Sequence, residues 1–459
     1  MRKKNGPEGL EPVDALEAKS LPMTPRGIRS GLRLNIRGRS VHLRGLRRPR
    51  AGILRWLAIL GPGLIATSAG NDAGGIATYS QAGAKFGYQL IWVMLILTLS
   101  FAVVQEMCAR LGAATGRGLL DLIRERFGIG WALFAVAVIL VANGGVTVSE
   151  FVGIGAAMEL LGVSKYIAVP AGAIIIWYLV IFGSYAKVEK IFLVMTLVFF
   201  AYPVAAILAK PNWMEVARGA FIPSLRADPA YILIVVGLLG TTITPYIQIF
   251  QQSSLVERGV ARRHYGPEKV DAYVGAIFSN LMSISMIIAT AATLYVVGHR
   301  EIETAADAAK ALEPVMGSSA TVLFAIGLLG ATLLAGAVLP LATAYAVSEA
   351  FGVPKGVNLD FRRGKVFFSL FTALIVVAAV LALIPGLPVI QLLVGVQVLN
   401  GILLPIFLVF IVLLINDKRL TGDLKNTRRN NVLAIGTLVL ITGAVLVMLG
   451  SQLLGLFGG

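Results

Sequence analysis

Between Leu57 and Tyr79 the chain reads LAILGPGLIATSAGNDAGGIATY, an apolar stretch whose one interior formal charge is Asp72. Gly61, Pro62, Gly63, Gly70, Asn71, Gly74 and Gly75 crowd around that charge and make poor regular helix. A carboxylate deep in hydrocarbon is expensive unless it is paired, hydrated or binding something. Backbone that leaves the helix at that depth is tolerated only against protein or a cavity. The pattern therefore predicts a broken transmembrane helix whose carboxylate and freed carbonyls face a cation. Close packing of glycines beside an acid is the alternative that needs no ion.

A second interrupted stretch, DPAYILIVVGLLGTTITPYIQIFQQSSL over 228–255, places Pro245 near the middle of an apolar run. Proline removes a backbone donor and clashes with the carbonyl four residues earlier, so the helix should break behind Thr241 and Thr244. The candidate metal ligands are thus Asp72, carbonyls near Ala73, Gly75 and Thr241, the Thr244 hydroxyl, and Gln397 from a later apolar run. Asn71 could add neutral oxygen. Every donor is oxygen, because the histidines are His42, His264 and His299 and the one cysteine is Cys108. Such a set suits hard cations, and one acid among neutral oxygens fits Na⁺ or a divalent ion. The small residues Gly74, Gly75 and Thr242 leave room for an ion that keeps its water. The alternative for them is helix packing.

Other polar residues are candidates for a pathway or for coupling. Glu150 lies mid-span in GGVTVSEFVGIG, as a second pathway acid or as a satisfied internal partner. Tyr246, Gln248 and Gln251, with Gln252, follow the Pro245 break and could line an aqueous vestibule. Glu106 and Arg110 stand four residues apart, a local ion pair. Asn280, Ser283, Tyr202 and Tyr345 read as packing groups.

The elements that must hold these residues are membrane spans. The 459 residues are 57% hydrophobic and only 14% charged, too few charges to cover a soluble surface of that size. Apolar runs of about 20 residues recur, predicting eleven spans near 56–80, 88–109, 129–157, 167–184, 190–209, 229–256, 271–297, 321–350, 365–384, 388–415 and 432–455. Residues 1–50 form a basic segment with no apolar run, expected to be disordered and cytoplasmic. The net charge of +16 is distributed as the positive-inside rule requires. Basic connections at Arg110–Arg126, Lys187–Lys190, Arg258–Lys269, Lys355–Lys365 and Lys418–Arg429 alternate with an opposite side that carries Glu301, Glu303, Asp307 and Glu313. An N-terminus inside then leaves the C-terminus outside. With five spans per repeat, 51–210 and 229–415 are inverted copies, the interrupted spans occupy matching positions one and six, and 416–459 adds an eleventh span. Paired interrupted spans of this kind point to a transporter with a midplane site.

From about 56 to 455 the chain resembles the Nramp family of divalent-metal transporters. The matching runs are Asp72-Ala73-Gly74-Gly75, Thr244-Pro245-Tyr246, Ala109-Arg110-Leu111-Gly112 with Thr115-Gly116, Glu150-Phe151-Val152-Gly153, Phe182-Gly183 with Glu189, and Gln397-Val398 before Leu404-Pro405. The resemblance implies an all-alpha polytopic membrane protein of about 11 transmembrane helices, a LeuT-like 5+5 inverted repeat with helices 1 and 6 broken. Where the family carries Asp-Pro-Gly-Asn and Met-Pro-His, this chain has Gly75 for the asparagine and Thr244 for the methionine. Loss of the soft thioether argues against strict manganese or iron selectivity and resembles the Nramp-related magnesium transporter branch. Tyr246, Gln251 and Thr147 stand where proton-coupled members carry titratable groups, and Val366–Leu383 has no formal charge.

The expectation is uptake of hydrated Mg²⁺, with Mn²⁺ as a possible second ion, by alternating access and without proton coupling. The rivals are a proton-coupled Mn²⁺/Fe²⁺ carrier and, more remotely, a sodium-coupled organic-solute symporter. No nucleotide-binding fingerprint occurs, so neither an enzyme nor a resident cofactor is expected. The implied partners are a divalent metal ion and the lipid bilayer, with no nucleic acid and no obligate protein partner, in a prokaryotic inner membrane.

Overall fold

In the computed structural model, residues 33–36, 39–42, 62–183, 191, 200–310 and 320–457 are described. Lys187–Lys190, Glu189, Glu313, much of the span expected at 190–209 and most of the basic segment 1–50 lie outside them. Within that basic segment two short strands, β1 (Arg33–Ile36) and β2 (Arg39–His42), pair antiparallel with Arg33 opposite His42, in a segment for which composition predicts no regular structure.

From residue 55 onward the chain forms a second unit, whose regular elements among the described residues are all helices. The first apolar run gives α1 (Pro62–Ala69) and α2 (Ala73–Phe86), separated at Gly70–Asp72. Proline starts α1, where a missing N–H costs nothing, and Asp72 caps α2 through its side chain. Then follow α3 (Ile91–Thr115), α4 (Leu119–Phe127), α5 (Ile129–Leu160), α6 (Lys165–Phe182), α7 (Ala201–Leu208) and α8 (Trp213–Phe221). Gly116, at φ +64°, ends α3 in the left-handed conformation that favours glycine.

The second interrupted run gives α9 (Pro229–Thr242) and α10 (Pro245–Glu257). Asp228 caps α9, and Pro245 opens α10 at its first position. Next come α11 (Tyr265–Thr290), α12 (Ala305–Lys310), α13 (Ala320–Phe351), α14 (Lys365–Ala382), α15 (Val389–Asn416), α16 (Lys418–Thr421) and α17 (Arg428–Phe457).

Among the described residues nine helical stretches are long and apolar enough to cross a membrane. Two of the eleven expected spans are not among these nine as separate stretches. Neither half of the broken first helix is long enough alone, and α2 continues through a tight turn into α3 as one stretch, Ala73–Thr115. Part of the fifth span lies outside the described residues.

The broken helices are central. The α1/α2 pair packs against α11 and α10, α9 lies along α15, and α5 lies along α13. Outer helices keep large apolar side chains exposed, among them Ile167, Ile174, Val377 and Val439. Exposed aliphatics in that number suit contact with lipid rather than water.

Candidate metal site between the helix breaks

Asp72 is fully buried at the start of α2. Its extended backbone turns the carboxylate back over the helix end, where Oδ1 accepts the Gly75 N–H at 2.6 Å. The positive end of the α2 dipole favours an anion at that point. Gln397 Nε2, reaching across from α15, lies 3.0 Å from Oδ1 and 3.2 Å from Oδ2. The Tyr246 hydroxyl donates to the Ala69 carbonyl at 2.6 Å and stands 3.4 Å from Oδ2. An aspartate at the centre of a span costs about 2.5–3.5 kcal/mol on insertion, and hydrogen bonds to charged groups return about 1.5–3 kcal/mol each. Two full donors therefore return part of that cost.

The two breaks touch. A Cβ at Gly70 would lie 3.6 Å from the Thr241 carbonyl, and one at Gly75 would lie 2.8 Å from Thr241 Oγ1 and 2.9 Å from the Gly70 carbonyl. Gly74 accommodates Gln397, whose Cγ would be 2.9 Å from a Cβ there. Gly240 lets α9 ride against α15, its missing Cβ giving space to the Gln397 carbonyl and to Gly401 N. The room that small residues promised for a hydrated ion is thus filled in this state by Gln397 and Thr241, and these glycines serve close approach. Thr241 Oγ1 and Thr244 Oγ1 are fully buried and have no hydrogen-bond partner in the protein. Thr242 is engaged by the Tyr79 hydroxyl at 3.3 Å.

Glu150 reaches the same helix start from α5. Its Oε2 accepts the Ala73 N–H at 3.2 Å, and Ser149 Oγ lies 3.3 Å from Oε1. Gly153, one turn on, allows this approach, since a Cβ there would be 2.7 Å from that of Ala73. Asp72 and Glu150 thus both cap α2, on Gly75 and Ala73. Asn71 faces away, onto α11: its Oδ1 accepts from Ser283 at 2.8 Å and its Nδ2 donates to Ser279 Oγ at 3.1 Å. It pins the break to α11 rather than aiming oxygen at Asp72. Among the described residues no three His, Cys, Asp or Glu side chains gather at one point, so any ion here would meet one or two acids among neutral oxygens.

Below the break, Gln248 and Gln251 are buried along α10, and none of their amide atoms has a protein partner. Further along α10 a knot of polar contacts joins it to α4 and α13. Glu349 of α13, wholly buried, accepts from Ser253 Oγ of α10 at 2.7 Å and from the Leu120 N–H of α4 at 3.1 Å, with Lys355 Nζ 3.5 Å away. Lys355 also pairs with Asp121, and Arg124 donates to the Glu349 carbonyl at 2.5 Å. Gly118 is essential to the approach, because a Cβ there would collide with the Glu349 carboxylate. At the opposite end a cavity of about 490 Å³ is lined by Gln81, Lys85, Glu301, Gln391, Val394 and Val398, so it reaches the immediate neighbour of Gln397. Lys85 and Glu301 pair across its mouth at 3.4 Å.

Sequence reasoning named Asp72, Ala73, Gly75, Thr241, Thr244 and Gln397 as candidate ligands and Tyr246 and Glu150 as pathway candidates; in the fold Ala73, Gly75, Thr241, Gln397, Tyr246 and Glu150 all lie around Asp72 at the start of α2. The same reasoning passed over Asn400, whose Nδ2 donates to Gln397 Oε1 at 3.1 Å, and Glu349. An asparagine three residues after Gln397 in an apolar span was the available signal for the first. The second sits at a helix end, where an acid is unremarkable. The Glu106–Arg110 pair forms at 3.0 Å, and Arg110 also donates to the Leu424 carbonyl and to Asn426.

The family model described as natural resistance-associated macrophage protein-like, Nramp, matches residues 63–451. Among solved structures, the Eremococcus coleocola manganese transporter in complex with an aromatic bis-isothiourea substituted compound superposes with a TM-score of 0.73, at 19% identity over 90% of each chain. MhsT in complex with L-phenylalanine gives 0.58 at 13% identity, covering 88% of this chain and 99% of that one. A nucleobase-cation-symport-1 family transporter in a closed conformation gives 0.52 at 16% identity, covering 86% and 92%. At these identities the likeness is one of fold, the LeuT-like arrangement in which helices one and six are interrupted.

Proposed function

The chain belongs to the Nramp family of membrane metal transporters, and from there we propose that it takes up Mg²⁺, still partly hydrated, by alternating access and without proton symport. The observation that carries this reading is the donor set at the crossing of the two breaks. One buried carboxylate, Asp72, is held by the Gln397 amide, and the second break supplies the buried Thr241 and Thr244 hydroxyls, which have no protein partner. Oxygen without thioether or imidazole suits hard ions and lacks the soft donor that would select Fe²⁺ or Mn²⁺ over Mg²⁺. Mg²⁺ gives up its waters reluctantly, and those waters can bridge to Thr241 and Thr244 where direct ligands are few.

The basic loops face the cytoplasm in this reading, the cavity beside Lys85 and Glu301 is the outer vestibule, and the Glu349 knot is the closed inner door. The ion enters from outside, displaces Gln397 Nε2 from Asp72, and leaves when α10 parts from α4 and α13. Gln248 and Gln251 then offer uncharged amides to its hydration shell. The inward-negative potential contributes roughly 4–5 kcal/mol per 100 mV to a divalent ion, so uptake needs no second gradient. The membrane is a prokaryotic inner membrane.

Purified protein in liposomes, assayed for Mg²⁺ uptake with internal pH recorded, is expected to take up Mg²⁺ without acidification, and Asp72→Ala to abolish it. Robust Mn²⁺ entry with acidification and no Mg²⁺ entry would overturn the reading. It would favour a dehydrated, proton-coupled Mn²⁺/Fe²⁺ carrier, for which the close packing of Gly75 on Thr241 already speaks.

A further inference from the structure

Gln397 presents the wrong atom for a metal ligand. A carboxylate only accepts, so the amide atom straddling both oxygens of Asp72, at 3.0 and 3.2 Å, is the donor Nε2. It fills the fork where a cation would bind. The carbonyl end of the same amide, the end a cation needs, points away to Asn400 and accepts its Nδ2 at 3.1 Å. Asn400 is itself fully buried one turn further along α15, and its own Oδ1 has no partner in the protein.

Resting on the reading that Asp72 binds the transported cation, we propose that Asn400 is a positioning residue that lets Gln397 turn over on ion binding. In the empty state Gln397 Nε2 stands in for the cation on Asp72, and Asn400 Nδ2 holds Gln397 Oε1. When the ion arrives, the Gln397 amide rotates by half a turn and brings Oε1 to the ion. Its Nε2 then faces Asn400, which turns its own amide and accepts with Oδ1. A side chain carrying both a donor and an acceptor satisfies Gln397 in either orientation. An apolar group in its place satisfies neither, and a carboxylate satisfies only the ion-bound one. Orphaned buried N–H groups are tolerated less well than orphaned carbonyls, so an apolar residue at 400 penalises the ion-bound orientation more. The turn is about the amide's own axis, and at Gly74 no Cβ stands against that amide.

The test is a double-mutant cycle on the full chain, reading both equilibrium binding and the KM for uptake, with Mg²⁺ and Mn²⁺ as separate probes. Asn400→Asp is expected to tighten binding and lower KM by at least about threefold, and Asn400→Leu to weaken binding by a similar factor. Both effects are expected to vanish in a Gln397→Met background, where no amide remains to turn. Equal shifts in the two backgrounds would mean that residue 400 acts only through charge or packing, and would overturn the proposal. If Asn400→Asp does not insert, or Gln397→Met binds nothing measurable, Asn400→Leu alone decides: unchanged or tighter binding overturns it. Wild type that binds and carries Mn²⁺ but not Mg²⁺ would sink the magnesium reading while leaving this cycle to be read with Mn²⁺. Binding that survives Asp72→Ala would place the ion elsewhere and sink both.

Discussion

At the scale of single residues the site is a contest for one carboxylate. Asp72 is held by the Gly75 N–H and the Gln397 amide, so an ion must outbid donors already in place rather than fall into an open charge. Thr244 is the residue at which selectivity is most exposed. It precedes Pro245, its hydroxyl has no protein partner, and it offers hard oxygen. Thr244→Met is expected to move the Mn²⁺/Mg²⁺ preference toward Mn²⁺ by about tenfold, roughly 1.4 kcal/mol, because a thioether interacts well with the softer ion and poorly with Mg²⁺. Competition of Mn²⁺ against Mg²⁺ uptake in liposomes measures it, and an unchanged ratio would remove Thr244 from the ion's contacts. Asn71 illustrates a limit of reading residue by residue. Its position beside Asp72 is visible in the sequence, but its direction, onto Ser279 and Ser283, depends on where α11 lies.

At the scale of elements two contacts decide what can move. Gly240 and Gly401 bring α9 and α15 so close that a Cβ on Gly240 would run into the Gln397 carbonyl. Gly240→Ala is therefore expected to displace Gln397 and cut uptake severely. The matched substitution Gly443→Ala on α17, where a Cβ meets nothing within 4 Å, should leave it near wild type. Comparable loss in both would show that α17 is as tightly constrained as the α9–α15 seam. The second contact is the Glu349 knot, which ties α10 to α4 and to the end of α13. Breaking a buried, hydrogen-bonded charge network loosens the elements it joins. Glu349→Ala is expected to raise the labelling rate of a cysteine placed at Gln251, approached from the side of the basic loops, by at least about threefold. No change would mean that this network does not guard that path.

At the scale of the whole molecule the proposed reading is asymmetric: a cavity lined by Lys85, Glu301 and Val398 is taken as the outer vestibule, and the polar contacts of Glu349 as the closed inner door. Which end faces which compartment is a matter of charge, and it can be measured directly. Cys108 is the single cysteine and is fully buried, so one added thiol reports alone. Glu303→Cys is expected to react with an impermeant maleimide in intact cells, and Lys425→Cys only after permeabilisation. The reverse pattern would invert the proposed direction of transport.

The sequence by itself determined the solvent, both helix breaks and the acid between them. Each of these is a local property: apolar run length, the missing proline donor, and a charge with no neighbour of opposite sign in its own span. It also brought Gln397 into the site, though only through resemblance and residue type. What it could not determine is how much of the polar inventory is spent inside the protein. Room around Gly74 and Gly75 is legible as small side chains, yet the fold fills it with Gln397 and Thr241 from helices more than 160 residues away in the chain. Asn71 turned to α11 and Glu349 became the centre of the knot through contacts between 96 and 229 residues apart in the chain, while Asn400 became the anchor of Gln397. Only Asn400 met its partner locally, one turn along α15, and even there its meaning depends on Asp72 lying opposite. Helix breaks are written in the chain, whereas the direction of an amide is decided by whatever donor or acceptor tertiary packing sets before it.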